Sequence, residues 1–114
     1  MTATLAIRKK MLKISTGKLA GIRCYALEAS DVEADTETLF EKLESELLQF
    51  EPEPGMGVTI VGSDPIATSF LLAKLFNWEL PFIAACNDSK DETQAVAIKS
   101  RRLEPGRPFE FQQL

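Results

Sequence analysis

Six short apolar runs rich in β-branched residues, set off by turn-forming clusters, alternate with two longer runs of helical spacing, and together they predict an α+β domain. In a chain of 114 residues, 45% of them hydrophobic, there is material for one core and no room for two, so residues 1–114 are read as a single domain. Two helices laid on one face of a mixed sheet of about five to six strands make a two-layer sandwich of the ferredoxin-like kind.

The elements follow in order. Strands are expected at 11–16 and 21–27, with Thr16-Gly17-Lys18 as the hairpin turn between them. A helix over 36–50 is predicted by Leu39, Phe40, Leu43, Leu47 and Phe50, which recur at helical spacing while Glu37, Glu41, Glu44 and Glu46 take the other faces. Thr38 followed by Glu41 fits a capping box, and Asp35 is an equally good cap. The EPEPG run at 51–55 stops this helix and leads to a buried strand at 58–61. Gly62 then permits a bend, and Ser63 or Asp64 caps a second helix, over 65–77, whose first position suits Pro65. That helix is apolar nearly all round, through Ile66, Phe70, Leu71, Leu72, Leu75, Phe76 and Trp78. It is therefore sandwiched in the core or pressed on a second subunit, with Phe76 and Trp78 as a candidate dimer seam and Trp78 as a candidate stacking face for a base. A strand at 81–86, a polar loop at 87–93 and strands at 95–100 and 108–111 complete the chain.

The turn from Gly62 to Asp64 is a candidate anion site. A helix opening directly after a strand aims backbone N–H groups and a partial positive charge at one spot. Charge elsewhere is uneven although the net value is only −4. Between residues 28 and 53 there are ten carboxylates against the single Lys42, a solvated acidic face that repels nucleic acid. Arg8, Lys9, Lys10, Lys13, Lys18 and Arg23 accompany the first two strands, and Lys99, Arg101, Arg102 and Arg107 flank the last two. In one sheet these groups converge on phosphates, or else protect strand edges from aggregation.

The remaining signals narrow the class. The loop Asn87-Asp88-Ser89-Lys90-Asp91-Glu92 lacks the ligand spacing and the glycine of a calcium loop, so no metal site is assigned and a weak manganese or magnesium contact through Asp88 is the most it offers. Cys24 and Cys86 sit in apolar strand runs without C-x-x-C spacing and read as small buried hydrophobes in a reducing cytoplasm. No apolar run is long enough to span a membrane. The basic, acid-free stretch at 1–23 has a composition also found in transit peptides, but Met11, Leu12 and Ile14 within it already read as strand.

Several segments resemble one family. Gly57-Val58-Thr59-Ile60-Val61-Gly62, then Pro65-Ile66, Leu72-Ala73-Lys74 and Pro81-Phe82-Ile83-Ala84 follow, in order and at near-identical spacing, the G-V-V-I-S-G-x-x-P-I, L-A-H and P-F-V-A-V-Y-D-P-R-L segments of the CRISPR-associated "Csx-three" proteins. The likeness continues through Ala95-Val96-Ala97-Ile98-Lys99-Ser100 and the turn Glu104-Pro105-Gly106, so it covers the last half of the chain. It implies a compact ferredoxin-like domain that dimerises and binds cyclic tetra-adenylate made by type III CRISPR complexes. Active members cleave that ring or shorten RNA ends, with manganese implicated. Carried over by position, the histidine at the end of the family's helix falls on Asn77. The aspartate of its D-P-R segment falls on Asn87, or on Asp88 with a shift of one. The segment's arginine falls near Ser89, and a later histidine on Arg101.

The chain has no histidine, so no imidazole is present to exchange a proton near neutral pH or to hold a metal. The expectation is a cytoplasmic, homodimeric module that binds a cyclic oligoadenylate through Gly62, Ser63, Asp64, Asn77, Asn87, Asp88, Lys99 and Arg101, with little or no catalysis and no required cofactor. Two alternatives stand beside it. One is an enzyme working by positioning alone, since an RNA ring held in line can be cut by its own 2′-hydroxyl. The other is an interaction subunit without a ligand.

Overall fold

The computed structural model describes residues 11–29, 35–62, 64–88, 91–101 and 103–114, with the backbone alone at 87, 88 and 91–93. The order of elements is β1 (Leu12–Leu19), β2 (Ile22–Ala29), α1 (Thr36–Leu48), β3 (Gly57–Val61), α2 (Pro65–Leu75), β4 (Phe82–Asp88), β5 (Asp91–Ser100) and β6 (Pro108–Gln113). The fold is α+β, a six-stranded mixed sheet with two helices packed against it, compatible with a ferredoxin-like two-layer sandwich. β2, β3 and β4 run parallel, joined by the two helices, and the other neighbours are antiparallel. The sheet also closes on itself. Gly17, Lys18 and Leu19 of β1 pair with Gln113, Gln112 and Phe111 of β6, which makes a barrel of the six strands in sequence order.

Alternation along the strands serves two cores. Leu27, Val58, Ile60 and Ile83 face the helices and pack with Leu39, Leu43 and Leu47 of α1 and Ala67, Leu71 and Leu75 of α2. Each of these leucines, taken wholly out of water, contributes about 1.5–3 kcal/mol. The intervening residues Cys24, Ala26, Val61, Phe82 and Ala84 point into the barrel with Leu19, Ala95, Ala97 and Phe111. Two large rings fill this interior, and each has a glycine opposite it. A Cβ on Gly57 would stand 2.6 Å from the Phe82 ring, and one on Gly17 would stand 2.9 Å from Phe111 Cε1 and 2.8 Å from the Gln112 carbonyl. Gly17 is thus a notch within β1 and not a turn residue.

The hairpin turn expected at 16–18 falls instead at Ala20 and Gly21, both with positive φ, 51° and 80°, between the paired Leu19 and Ile22. That is the mirror-image two-residue turn whose twist suits a hairpin. The polar loop expected at 87–93 is mostly strand, since β4 runs to Asp88 and β5 begins at Asp91, its partner in the ladder. Both helices end two residues before the expected limits. Of the alternative caps, Asp35 begins α1 by accepting from the Thr38 N–H at 2.9 Å, and Asp64 begins α2 by accepting from Ile66 N–H at 3.0 Å. The N–H groups of Met11 and Leu12 donate to the Glu46 carboxylate at 2.9 and 3.0 Å, which pins the start of β1 to the last turn of α1.

Candidate functional site

The parallel strands give the barrel two distinct ends, and the residues singled out in the sequence divide between them. At the carboxyl end of β3 and β4 lie Gly62, Asp64 and the backbone of Asn87 and Asp88. α2 starts there and runs back along the sheet, so Asn77, two residues beyond it, lies at the opposite end, exposed. Lys99 and Arg101 are also there, because Lys99 pairs with Ile83 near the start of β4. From Ile83 to Asp88 the strand advances roughly 17 Å at 3.3 Å per residue. One surface of the chain does not unite the two groups. Ser63, Ser89, Arg102, Arg8, Lys9 and Lys10 lie outside the described residues.

The end that holds Gly62 is acidic at its centre. Gly62 has φ 113°, which favours glycine, and a Cβ there would stand 3.6 Å from Glu28 Cγ and 3.9 Å from one of its carboxylate oxygens. At the first turn of α2 two of the N–H groups already have acceptors. Pro65 has no N–H, Ile66 N–H is held by the Asp64 side chain, and Thr68 N–H donates to the Asp64 carbonyl at 3.0 Å. The hollow beside it, lined by Gly62, Asp64, Ala67 and Thr68 among others, holds about 10 Å³. That is room for one water at most, and two carboxylates face a phosphate approaching from outside.

The other end is built differently, and a bulge decides its chemistry. β5 pairs Ala97 with Ala84 and Lys99 with the adjacent Ile83, so one residue, Ile98, is extra. Without it Lys99 would share the inward face of Ala95 and Ala97. With it, Lys99 follows Ile83 onto the helix-bearing face, and its Nζ donates to the Phe76 carbonyl at 2.5 Å and sits 4.7 Å from the centre of the Phe76 ring. A cation at a helix C-terminus opposes the negative end of the dipole, and over an aromatic face it gains further attraction. Phe76 is 53% exposed, and Asn77, Arg101 and Glu79 are exposed near it. Lys18 and Arg23, paired across the β1–β2 hairpin, and Arg107, 3.8 Å from Glu104, belong to the same end.

Trp78 is not the open ring at this surface. It is half-buried, 6.0 Å from Phe50 at an interplanar angle of 24°, and Phe50 in turn meets Tyr25 edge-on at 5.0 Å. The ring presented to solvent is Phe76, which lies one residue past the last full turn of α2, where the apolar stripe has no sheet left to cover.

Cys24 is wholly buried inside the barrel beside Thr59, with Sγ and Oγ1 3.5 Å apart. Burial pushes its thiol above the ordinary value, and the contacts with Thr59 and the Leu19 backbone only partly offset this, so it is a structural and not a reactive cysteine. Among the described residues no group of three or more metal-ligating side chains comes together, and no helix is long and apolar enough to cross a membrane. Comparison with models of known protein families, with curated proteins and with solved structures finds no match.

Proposed function

We propose that this protein is a nucleotide-signal binding module that takes a cyclic oligoadenylate or a related RNA at the end of the barrel carrying Asn77, Lys99 and Arg101. The observation that carries the proposal is the bulge at Ile98, which brings Lys99 beside Asn77 and an exposed aromatic ring. Cations for the phosphates, an amide for a ribose or phosphate, and a ring for a base are the parts such a ligand needs. The resemblance to the Csx-three proteins points to the same ligand through Asn77 and Arg101. On this reading the protein is a cytoplasmic homodimer that buffers or relays a type III CRISPR signal. Without histidine it does so with little or no cleavage. Gly62, Asp64, Asn87 and Asp88, at the far end, do not touch the same copy of the ligand in one subunit.

An interaction subunit without a nucleotide is the second reading, favoured by Phe76 and Ile98, 53% and 45% exposed. Calorimetric titration with cyclic tetra-adenylate at two salt concentrations separates the two. Two or three phosphate contacts give a slope of log K against log salt of about −1.4 to −2. Chromatography of the recovered ligand shows whether the ring is cut, and sedimentation of the same sample shows whether the chain is a dimer. An absence of heat at low salt overturns the nucleotide reading and leaves the interaction subunit.

A further inference from the structure

Resting on that reading, we infer that Phe76 is the base-reading element of the surface, so that the site takes unpaired bases and rejects duplexes. Phe76 follows α2 and is held by its own backbone, since its carbonyl accepts from Lys99 Nζ. The ring is half in solvent, as is Ile66 at the other end of α2, while Ala67, Leu71 and Leu75 of the same helix are buried in the core. Lys99 lies over the ring, and Arg101 follows two residues later, exposed. An ammonium has three donors, so the carbonyl contact does not exhaust Lys99, and a phosphate beside the ring finds it already in place. Positive charge set against an exposed ring matches a chain that carries a phosphate beside each base. It matches a purely apolar partner poorly, because docking one would strip water from Lys99, Arg101 and Asn77. Bases in a duplex have their faces covered by their neighbours, whereas those of a single strand or a small ring are free to stack.

The test compares cyclic tetra-adenylate with an abasic ribose-phosphate oligomer of equal charge, on the wild-type chain, Phe76→Leu and Phe76→Tyr. The wild type is expected to prefer the adenylate by about tenfold, Phe76→Leu to lose that preference with its salt slope unchanged, and Phe76→Tyr to keep it. A wild type that binds both probes equally overturns the role of Phe76 while leaving the phosphate reading in place. A Phe76→Leu protein that weakens for both probes alike, its preference intact, also overturns it, since the ring would then act only through the fold. Failure of the wild type to bind either probe removes this inference together with the proposed function.

Discussion

Gly57→Ala should be strongly destabilising in the native chain and mildly stabilising once Phe82 is gone. The added methyl would meet the Phe82 ring at 2.6 Å, about 1 Å inside ordinary carbon contact. Phe82 is 1% exposed and has the barrel wall around it, so the ring has little room to withdraw, and overpacking of this kind costs about 1–3 kcal/mol. Phe82→Ala alone costs about 3–5 kcal/mol, which a domain of about 5–15 kcal/mol tolerates at its upper range. In that background the methyl enters empty space, and replacing a strand glycine by alanine gains about 0.5–1 kcal/mol. The sign therefore reverses, with a coupling of about 1.5–4 kcal/mol between the two sites. Urea unfolding of the four proteins measures it, provided the slopes agree and each transition is two-state. If Gly57→Ala costs the same in both backgrounds to within about 0.5 kcal/mol, the ring is not in the notch and the packing of the barrel interior is misread.

Other perturbations test other links. Glu46→Ala leaves the Met11 and Leu12 amides without their carboxylate, should cost about 1.5–3 kcal/mol in urea, and should speed hydrogen exchange at those two amides specifically. Ala20→Gly relieves a left-handed alanine and should raise stability by about 0.5–1 kcal/mol in the same assay. The Asp35 carboxyl is held below its ordinary value by the Thr38 N–H and then by the Thr38 hydroxyl. Its contribution is therefore present above the unfolded value of 3.8 and lost as pH falls through the folded one, so Asp35→Ala should shrink the stability gap to wild type in acid. The Cys24 thiol is shifted the other way. Stability it confers is whole below the unfolded value of 9.0 and declines as pH rises beyond it, so Cys24→Ala should flatten the alkaline loss of stability seen in thermal melts.

What the sequence discloses here follows from the range over which its signals act. α1 is legible because Leu39, Leu43 and Leu47 repeat within one element, and the three do face the sheet. Asp64 and Pro65 mark the start of α2 because capping is settled within three residues. Gly17 misleads because a glycine between strand-like residues signals a turn, whereas this one is absent a side chain for the sake of Phe111, nearly a hundred residues away. Closure is equally remote, since it rests on three residues of β1 meeting three of β6. The candidate surface depends on one uncounted residue. Strand alternation assigns Lys99 the face of Ala95 and Ala97, and only the ladder to β4 reveals that Ile98 is extra.

Closure also limits where this fold can meet a ligand. With β1 paired to β6 the usual binding edge of a sheet is removed at the point of closure, the outer face of β2, β3 and β4 is covered by the helices, and the interior is filled by Phe82 and Phe111. Of the surfaces left, the outer face of β5 and β6 and the two ends of the barrel, the ends differ in sign where the elements meet them. At one end Glu28 and Asp64 flank the start of α2, and at the other Lys99 meets its finish. Each charge opposes the helix dipole, so both are accounted for by the stability of α2 alone. Lys99 differs in being set beside an exposed ring that the helix does not require. If its work were only to cap α2, Lys99→Met would lower the melting temperature and leave nucleotide affinity untouched in the protein that remains folded. If Lys99 also reads phosphate, the same variant should lose about 0.7 from the magnitude of the salt slope, one contact's worth, measured at a temperature where both proteins are native.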